Sequence, residues 1–186
     1  MAVQVEERQT DSPALDFELL IDQHQSMVFS LALRMTGDRG LAEELTQDVL
    51  LELDRNLERM RSGDHVRFWL RQVTMHRAVD ALRRKNRRHP GWNEGKWIDL
   101  EESHGLPLDS LASGNAITRE LEQMMGALPE RQRAAILLRY QEDMMPEEIA
   151  ATLRAPVATV KSHLQRGLKT LRASAQGRLK EYIRGQ

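Results

Sequence analysis

Residues 157–171, VATVKSHLQRGLKTL, place short polar groups and cations where a helix would gather them on one side. Val157, Val160, Leu164, Leu168 and Leu171 recur at spacings of three, four, four and three, which is an apolar stripe of helical period. The opposite face then carries Thr159, Ser162, His163, Arg166 and Lys169, with Ala158 and Lys161 near the helix start. Such a face suits the major groove of DNA. The first turns reach base edges, Lys and Arg meet phosphates, and the amide-rich helix start can hold a phosphate of its own. The stretch just before it, MPEEIAATLRAP, supplies the rest of a helix-turn-helix. Ala150 is small enough for a helix crossing, Ile149 and Leu153 face a core, and Arg154-Ala155-Pro156 makes the turn. An amphipathic helix pair with a solvated basic face would share this pattern, so the stretch needs support from the rest of the chain.

That support begins with charge. The net charge is −1 and the pI about 6.6, so the whole chain has no electrostatic bias. Locally it does. Residues 77–90 hold six Arg or Lys (Arg77, Arg83, Arg84, Lys85, Arg87, Arg88) against one Asp, and residues 154–184 hold eight against one Glu. The acids concentrate in 43–58 and 94–109. Two basic segments in a neutral chain point to two anion-contacting surfaces.

Enzymatic chemistry finds no constellation. The six histidines (24, 65, 76, 89, 104 and 163) are scattered. His76 and Asp80 are four apart on one predicted helix and can pair, but no nucleophile, ligand set or phosphate loop stands near them. No cysteine is present, which removes disulfides, Cys-ligated zinc and thiol catalysis. No metal or cofactor is expected. No apolar run approaches the roughly eighteen residues of a membrane span, so no membrane insertion is expected. The opening MAVQVEERQTDSP is polar and acidic, unlike a signal peptide. A cytoplasmic location is the expectation.

The elements that must position these faces are helical. Aromatics make up only 4% of a chain rich in Leu, Ala, Met, Arg and Glu, which favours helix over sheet. Phe17, Leu20, Ile21, Met27, Val28, Leu31 and Met35 predict a first helix, with Gly37 as its C-cap and Asp38 as the N-cap of the next. Leu41, Leu45, Val49, Leu53 and Leu57 carry that second helix to a break at Arg61-Ser-Gly-Asp64. A third helix follows through Trp69, Leu70, Val73, Ala78, Val79 and Leu82 into RRKNRR at 83–88, and Pro90-Gly91 end the unit. Trp69 belongs to the apolar stripe with Val73, so core packing outranks base stacking for it. Residues 91–114 show no period and read as an acidic linker, with Trp92, Trp97 and Ile98 packing on a neighbour. Beyond it, Leu121, Met124, Met125 and Leu128 predict a helix, and Pro129 opens another. The expected organisation is a tail (1–15), a first domain (16–90), the linker (91–115) and a second domain (116–186). The fold class is all-α: two small helical domains on a flexible acidic linker, the C-terminal one with a helix-turn-helix.

Three stretches carry a family resemblance. LPERQRAAILLRYQEDMMPEEIAATLRAPVATVKSHLQRGLKTLR (128–172) resembles the promoter-binding domain of extracytoplasmic-function (ECF) sigma factors of bacterial RNA polymerase, within the sigma-70 superfamily. LALRMTGDRGLAEELTQDVLLEL (31–53) is similar to the family's polymerase-binding helix, and FWLRQVTMHRAVDALRRKNRR (68–88) to the helix that ends its promoter-melting domain. The resemblance implies a transcription initiation factor, its partners being core RNA polymerase, promoter DNA and an anti-sigma factor. Gln47 and Asp48, with Glu44 and Leu51, would meet the clamp helices of the largest polymerase subunit. The flap of the second subunit would hold the C-terminal domain. The loop 58–67, with Arg61, Ser62, Gly63, Asp64 and His65, would capture a flipped base of the −10 element, whose extrusion costs a few kcal/mol. Arg77, Arg83, Arg84, Arg87 and Arg88 would neutralise its phosphates. Ala158, Thr159, Lys161, Ser162, His163 and Arg166 would read the −35 element, with Arg133 and Arg139 on phosphates. The acidic linker would thread toward the polymerase active-site channel.

Several positions depart from the family pattern. Arg154 stands where Gly is usual in the turn, Ala158 where Gly is usual, Met145 where Ser caps the first helix, His163 where Arg is common, and Val66 where Phe is common. An Arg grips a guanine at two points and a His cannot, so an altered −35 preference is expected. A conventional helix-turn-helix regulator would explain only the C-terminal unit. A sigma mimic sequestering an anti-sigma factor would keep the partner surface and lose DNA readout.

Overall fold

The computed structural model describes residues 15–88 and 116–184, with side chains at 15–85 and 120–176. The expected tail and acidic linker, Pro90-Gly91, Trp92, Trp97 and Ile98 lie outside the described residues. Seven α-helices run in the order α1 (Phe17–Thr36), α2 (Arg39–Asn56), α3 (Gly63–Arg88), α4 (Ala116–Gly126), α5 (Glu130–Tyr140), α6 (Pro146–Leu153) and α7 (Val157–Arg184). No strand occurs among the described residues.

The first turns of structure follow the expected caps. Asp16 accepts from the N–H groups of Glu18 and Leu19 and so starts α1. Gly37 ends it in the left-handed region, φ 65°, with its N–H donating to the Leu33 carbonyl. Asp38 then accepts from Leu41 N–H at 3.1 Å and from the Lys85 ammonium at 3.0 Å. Burial alone would raise the Asp38 carboxyl. The Leu41 bond and the Lys85 cation outweigh it and hold the group below its ordinary value. The corner between α2 and α3 is tighter than the expected loop over 58–67. Leu57–Arg59 form a 3₁₀ turn and α3 begins at Gly63, so residues 60–62 alone are irregular. Ser62 accepts from His65 N–H at 3.2 Å, capping the new helix, and Asp64 sits in its first turn where a carboxylate meets the positive helix end.

Helices α1, α2 and α3 enclose a core of Leu20, Val28, Val49, Leu53, Val66 and Leu70, with half-buried Trp69 against it as the apolar stripe predicts. In the second half, Pro129 stands one residue before α5 rather than inside it. Gly167 lets α5 and α7 touch: a Cβ there would meet Ile136 Cδ1 at 2.6 Å.

A second core does not belong to either half alone. It joins Phe29, Leu31, Met35, Met75, Ala78 and Leu82 of α1 and α3 to Ala134, Leu137, Leu138, Met144, Ile149 and Val160 of α5, its following turn, α6 and α7. Polar contacts cross the same seam. Arg71 Nε donates to Glu142 Oε2 at 2.7 Å, Gln72 to the Ala151 carbonyl at 3.2 Å, and Gln141 to Ser30 Oγ at 3.2 Å. Arg133 is 5% exposed and donates to the carbonyls of Met35, Gly126 and Leu128. The expected Arg133 phosphate contact is therefore corrected. Its guanidinium is spent inside the molecule, where burial lowers it to about 10.

Candidate nucleic-acid interface

The helix-turn-helix forms where the spacing put it. Ala150 is buried at the crossing, and Ile149 and Val160 are fully buried on either side of it. Arg154 adopts the left-handed conformation, φ 48° and ψ 52°, at the position where Gly is usual. The Ala155 N–H closes the turn on the Ala150 carbonyl at 3.0 Å. At the other end of α6, Met145 offers no oxygen to the helix start. Glu148 supplies half of the usual reciprocal pair, its Oε2 accepting from Met145 N–H at 2.7 Å.

On α7 the expected contact face is presented unevenly. Ala158, Lys161, Arg166 and Lys169 are exposed, while Thr159, Ser162 and His163 are half-buried. Lys161 lies 3.6 Å from Glu147, both side chains 61% exposed, a pairing weak enough to be exchanged for a phosphate. His163 is held below the ordinary imidazole value by burial, then by the Arg131 and Arg166 guanidiniums. Its Nδ1 is buried without a hydrogen-bond partner, which leaves Nε2 as the working atom. Arg139 is half-buried and donates to the Met144 carbonyl at 3.1 Å, bracing the α5–α6 turn.

In the first half, Glu44, Gln47, Asp48 and Leu51 fall at i, i+3, i+4 and i+7 on α2 and are all exposed. Leu51 is an apolar side chain left 55% exposed in the middle of that face. Beside it, Arg77 reaches back from α3 to Asp48 Oδ2 at 3.1 Å and to Glu52 Oε2 at 3.0 Å. The residue expected on a phosphate thus bridges two carboxylates of α2 here. Arg61, Ser62, Gly63, Asp64 and His65 are exposed together at the α2–α3 corner. Arg83 and Arg84 are exposed further along α3. Arg87 and Arg88 continue that helix, and their side chains lie outside the described residues. Among the described residues no cluster could hold a metal ion, and no helix is long and apolar enough to cross a membrane.

The residues missed by spacing alone are those of the seam: Arg71, Gln72, Gln141 and Glu142. Each looks like an ordinary solvated polar residue on its own helix. Only Arg133 carried a signal, a cation abutting the buried run Ala134–Leu138.

Comparison with known proteins matches two segments. Residues 20–88 fit the family model of sigma-70 region 2, and residues 118–171 that of sigma-70, region 4. The ECF RNA polymerase sigma factor SigK of Mycobacterium sp. (strain KMS) is 30% identical over 179 residues, covering 91% of this chain and 86% of that protein. The ECF RNA polymerase sigma factor SigE of Mycolicibacterium smegmatis is 30% identical over 154 residues, which cover 82% of this chain and 59% of that longer protein. Among solved structures, the sigma factor RpoE in complex with the anti-sigma factor NepR from Bartonella quintana shares the fold. Its TM-score is 0.68 at 20% identity, over 87% of this chain and 97% of that one.

Proposed function

The chain belongs to the ECF sigma factors of bacterial RNA polymerase, and from that premise we propose how its two exposed faces divide the work of transcription initiation. The protein is an initiation factor and not an enzyme. The α2 face of Glu44, Gln47, Asp48 and Leu51 docks on the clamp helices of the largest polymerase subunit, with Leu51 as the apolar centre of a polar rim. The α2–α3 corner, Arg61 to His65, takes the extruded −10 base, and Arg83 and Arg84, continued by Arg87 and Arg88, neutralise the strand behind it. Helix α7 enters the major groove at the −35 element through Ala158, Thr159, Lys161, Ser162, His163 and Arg166. Residues 16–90 and 116–186 act as the two promoter-reading domains, with 91–115 between them. The protein works in the cytoplasm, and an anti-sigma factor of the kind bound to the structural relative holds it in reserve.

The observation that carries this reading is the order of parts: a region 2 match, then a region 4 match whose recognition helix exposes Lys161, Arg166 and Lys169. Run-off transcription of fragmented genomic DNA by core polymerase, with and without the protein, tests it. New transcripts sharing two upstream elements are expected. Active core that gains no transcript from folded protein would overturn it. The double variant Gln47→Ala, Asp48→Ala is expected to lower core affinity with unchanged helical content. Both side chains are exposed, so truncation costs little stability. Undiminished affinity would move the core-binding surface elsewhere.

A further inference from the structure

Resting on the function proposed above, we infer that the seam between the two halves is a self-inhibiting latch: the free chain closes on itself and cannot span a two-element promoter until the seam parts. Three observations support it. The seam is built like a protein interior, since the larger core draws buried residues from α1 and α3 and from α5, α6 and α7 alike. Its ion pair is secluded: the Arg71 and Glu142 side chains are 12% and 6% exposed, and Arg71 also donates to the Glu142 carbonyl. Arg133 reaches across it to terminate α1 at the Met35 carbonyl and, from the same guanidinium, α4 at Gly126.

Geometry turns closure into inhibition. Gln72 bonds the Ala151 carbonyl directly. From Gly63, at the proposed −10 corner, helix rise puts Gln72 about 14 Å away. From Ala151 the chain reaches Thr159 in eight residues, at most about 28 Å even if fully extended. The −10 and −35 readers therefore stand within about 50 Å of each other in the closed form. Elements centred 10 and 35 base pairs upstream are roughly 25 pairs apart, or about 85 Å of duplex at 3.4 Å per pair. The closed molecule is too short to touch both. Polymerase docking or DNA must separate Arg71 from Glu142 and withdraw Arg133 from α1.

The chain has no cysteine, so two introduced thiols can carry a dye pair cleanly. Ser26→Cys on α1 and Tyr140→Cys beside Gln141 are both exposed and lie close to the Gln141–Ser30 bond. Energy transfer between the dyes reports closure in the free chain, with circular dichroism as the folding control. High transfer is expected free, and loss of most of it on adding core polymerase and a two-element promoter fragment. Glu142→Arg and Arg71→Glu are each expected to lower transfer in the free chain, and the double swap Arg71→Glu, Glu142→Arg to restore it. Low transfer in the free wild-type chain, or equal transfer in folded single variants, overturns the latch. Transfer in the free chain is independent of transcription. A closed chain that directs no transcript would keep the latch and defeat the sigma function, while an initiating chain that is already open would do the reverse.

Discussion

Arg133 ends two helices at once. A guanidinium is planar and forked, so one side chain can serve the last carbonyls of α1 and α4 together, which a lysine ammonium cannot do as well. Replacing it by Leu would leave buried carbonyls of Met35, Gly126 and Leu128 without their donor. At roughly 1–3 kcal/mol for a buried unsatisfied group, a loss of about 3 kcal/mol is expected. Thermal melting should register it as a fall in Tm of about 10 °C, and a melt unchanged within error would refute the role. Arg154 gives the opposite case. It occupies a left-handed conformation that disfavours any residue with a Cβ by roughly 1–2 kcal/mol, so Arg154→Gly should gain about 0.5–1 kcal/mol after the glycine's extra unfolded-state entropy. Denaturant melts decide it; a lower midpoint would mean that the Arg154 side chain stabilises the fold more than its backbone strains it. The difference in legibility between these two arginines is physical. Arg154 was placed by a local turn whose backbone any such motif shares. Arg133 could be understood only with α1 beside it, and α1 lies 98 residues away along the chain.

At the scale of elements the sequence was most informative wherever the determinant is local. Gly37 and Asp38 mark a helix end and a helix start within two residues, and both caps form. The corner at 60–62 was harder. Its Ser62 cap draws Gly63 and Asp64 into the helix although both residue types usually belong to turns. The packing of α7 on α5 hangs on Gly167, whose missing side chain has no signature in an apolar period. Gly167→Ala gains about 1 kcal/mol of helix propensity but drives a methyl onto buried Ile136, an overpacking of roughly 1–3 kcal/mol. A net loss of about 1 kcal/mol is expected, relieved by the added change Ile136→Val, since Cδ1 is the atom that is struck. Urea midpoints of the two variants settle this. An Ala variant as stable as the parent would show that Ile136 simply turns aside.

The whole molecule couples charge to packing through three histidines. His76 of α3 is held below its ordinary value by burial, then by Arg154, with Arg131 adding to it; Asp80 and a bond to the Thr152 backbone pull the other way. Burial does the same for His24, aided by Arg67 and Arg71, and for His163, aided by Arg131 and Arg166. A lowered folded-state value means the unfolded chain takes up protons first as pH drops. The stability these neutral imidazoles contribute is present above the unfolded value near 6.5 and is lost as pH falls through their lower folded values. Melts at pH 7.5 and pH 5.5 should therefore differ, the acid one being lower, and His76→Gln should shrink the difference. Equal melts at both values would count against buried neutral histidines. None of this was visible beforehand. His76 was paired with Asp80 from spacing, and the cations opposing that pair come from α5 and from the turn after α6.

The core shared by both halves also sets a timetable for synthesis. Helices α1, α2 and α3 are contiguous and hold a private core, so they can condense as soon as residue 88 leaves the ribosome. The Met35 carbonyl and the apolar side of α1 must then wait for Arg133 and α5. The nascent chain spends that interval with a sticky flank uncovered. A chaperone, or polymerase itself, finds its earliest chance to bind in that interval, before the newborn protein has closed on itself.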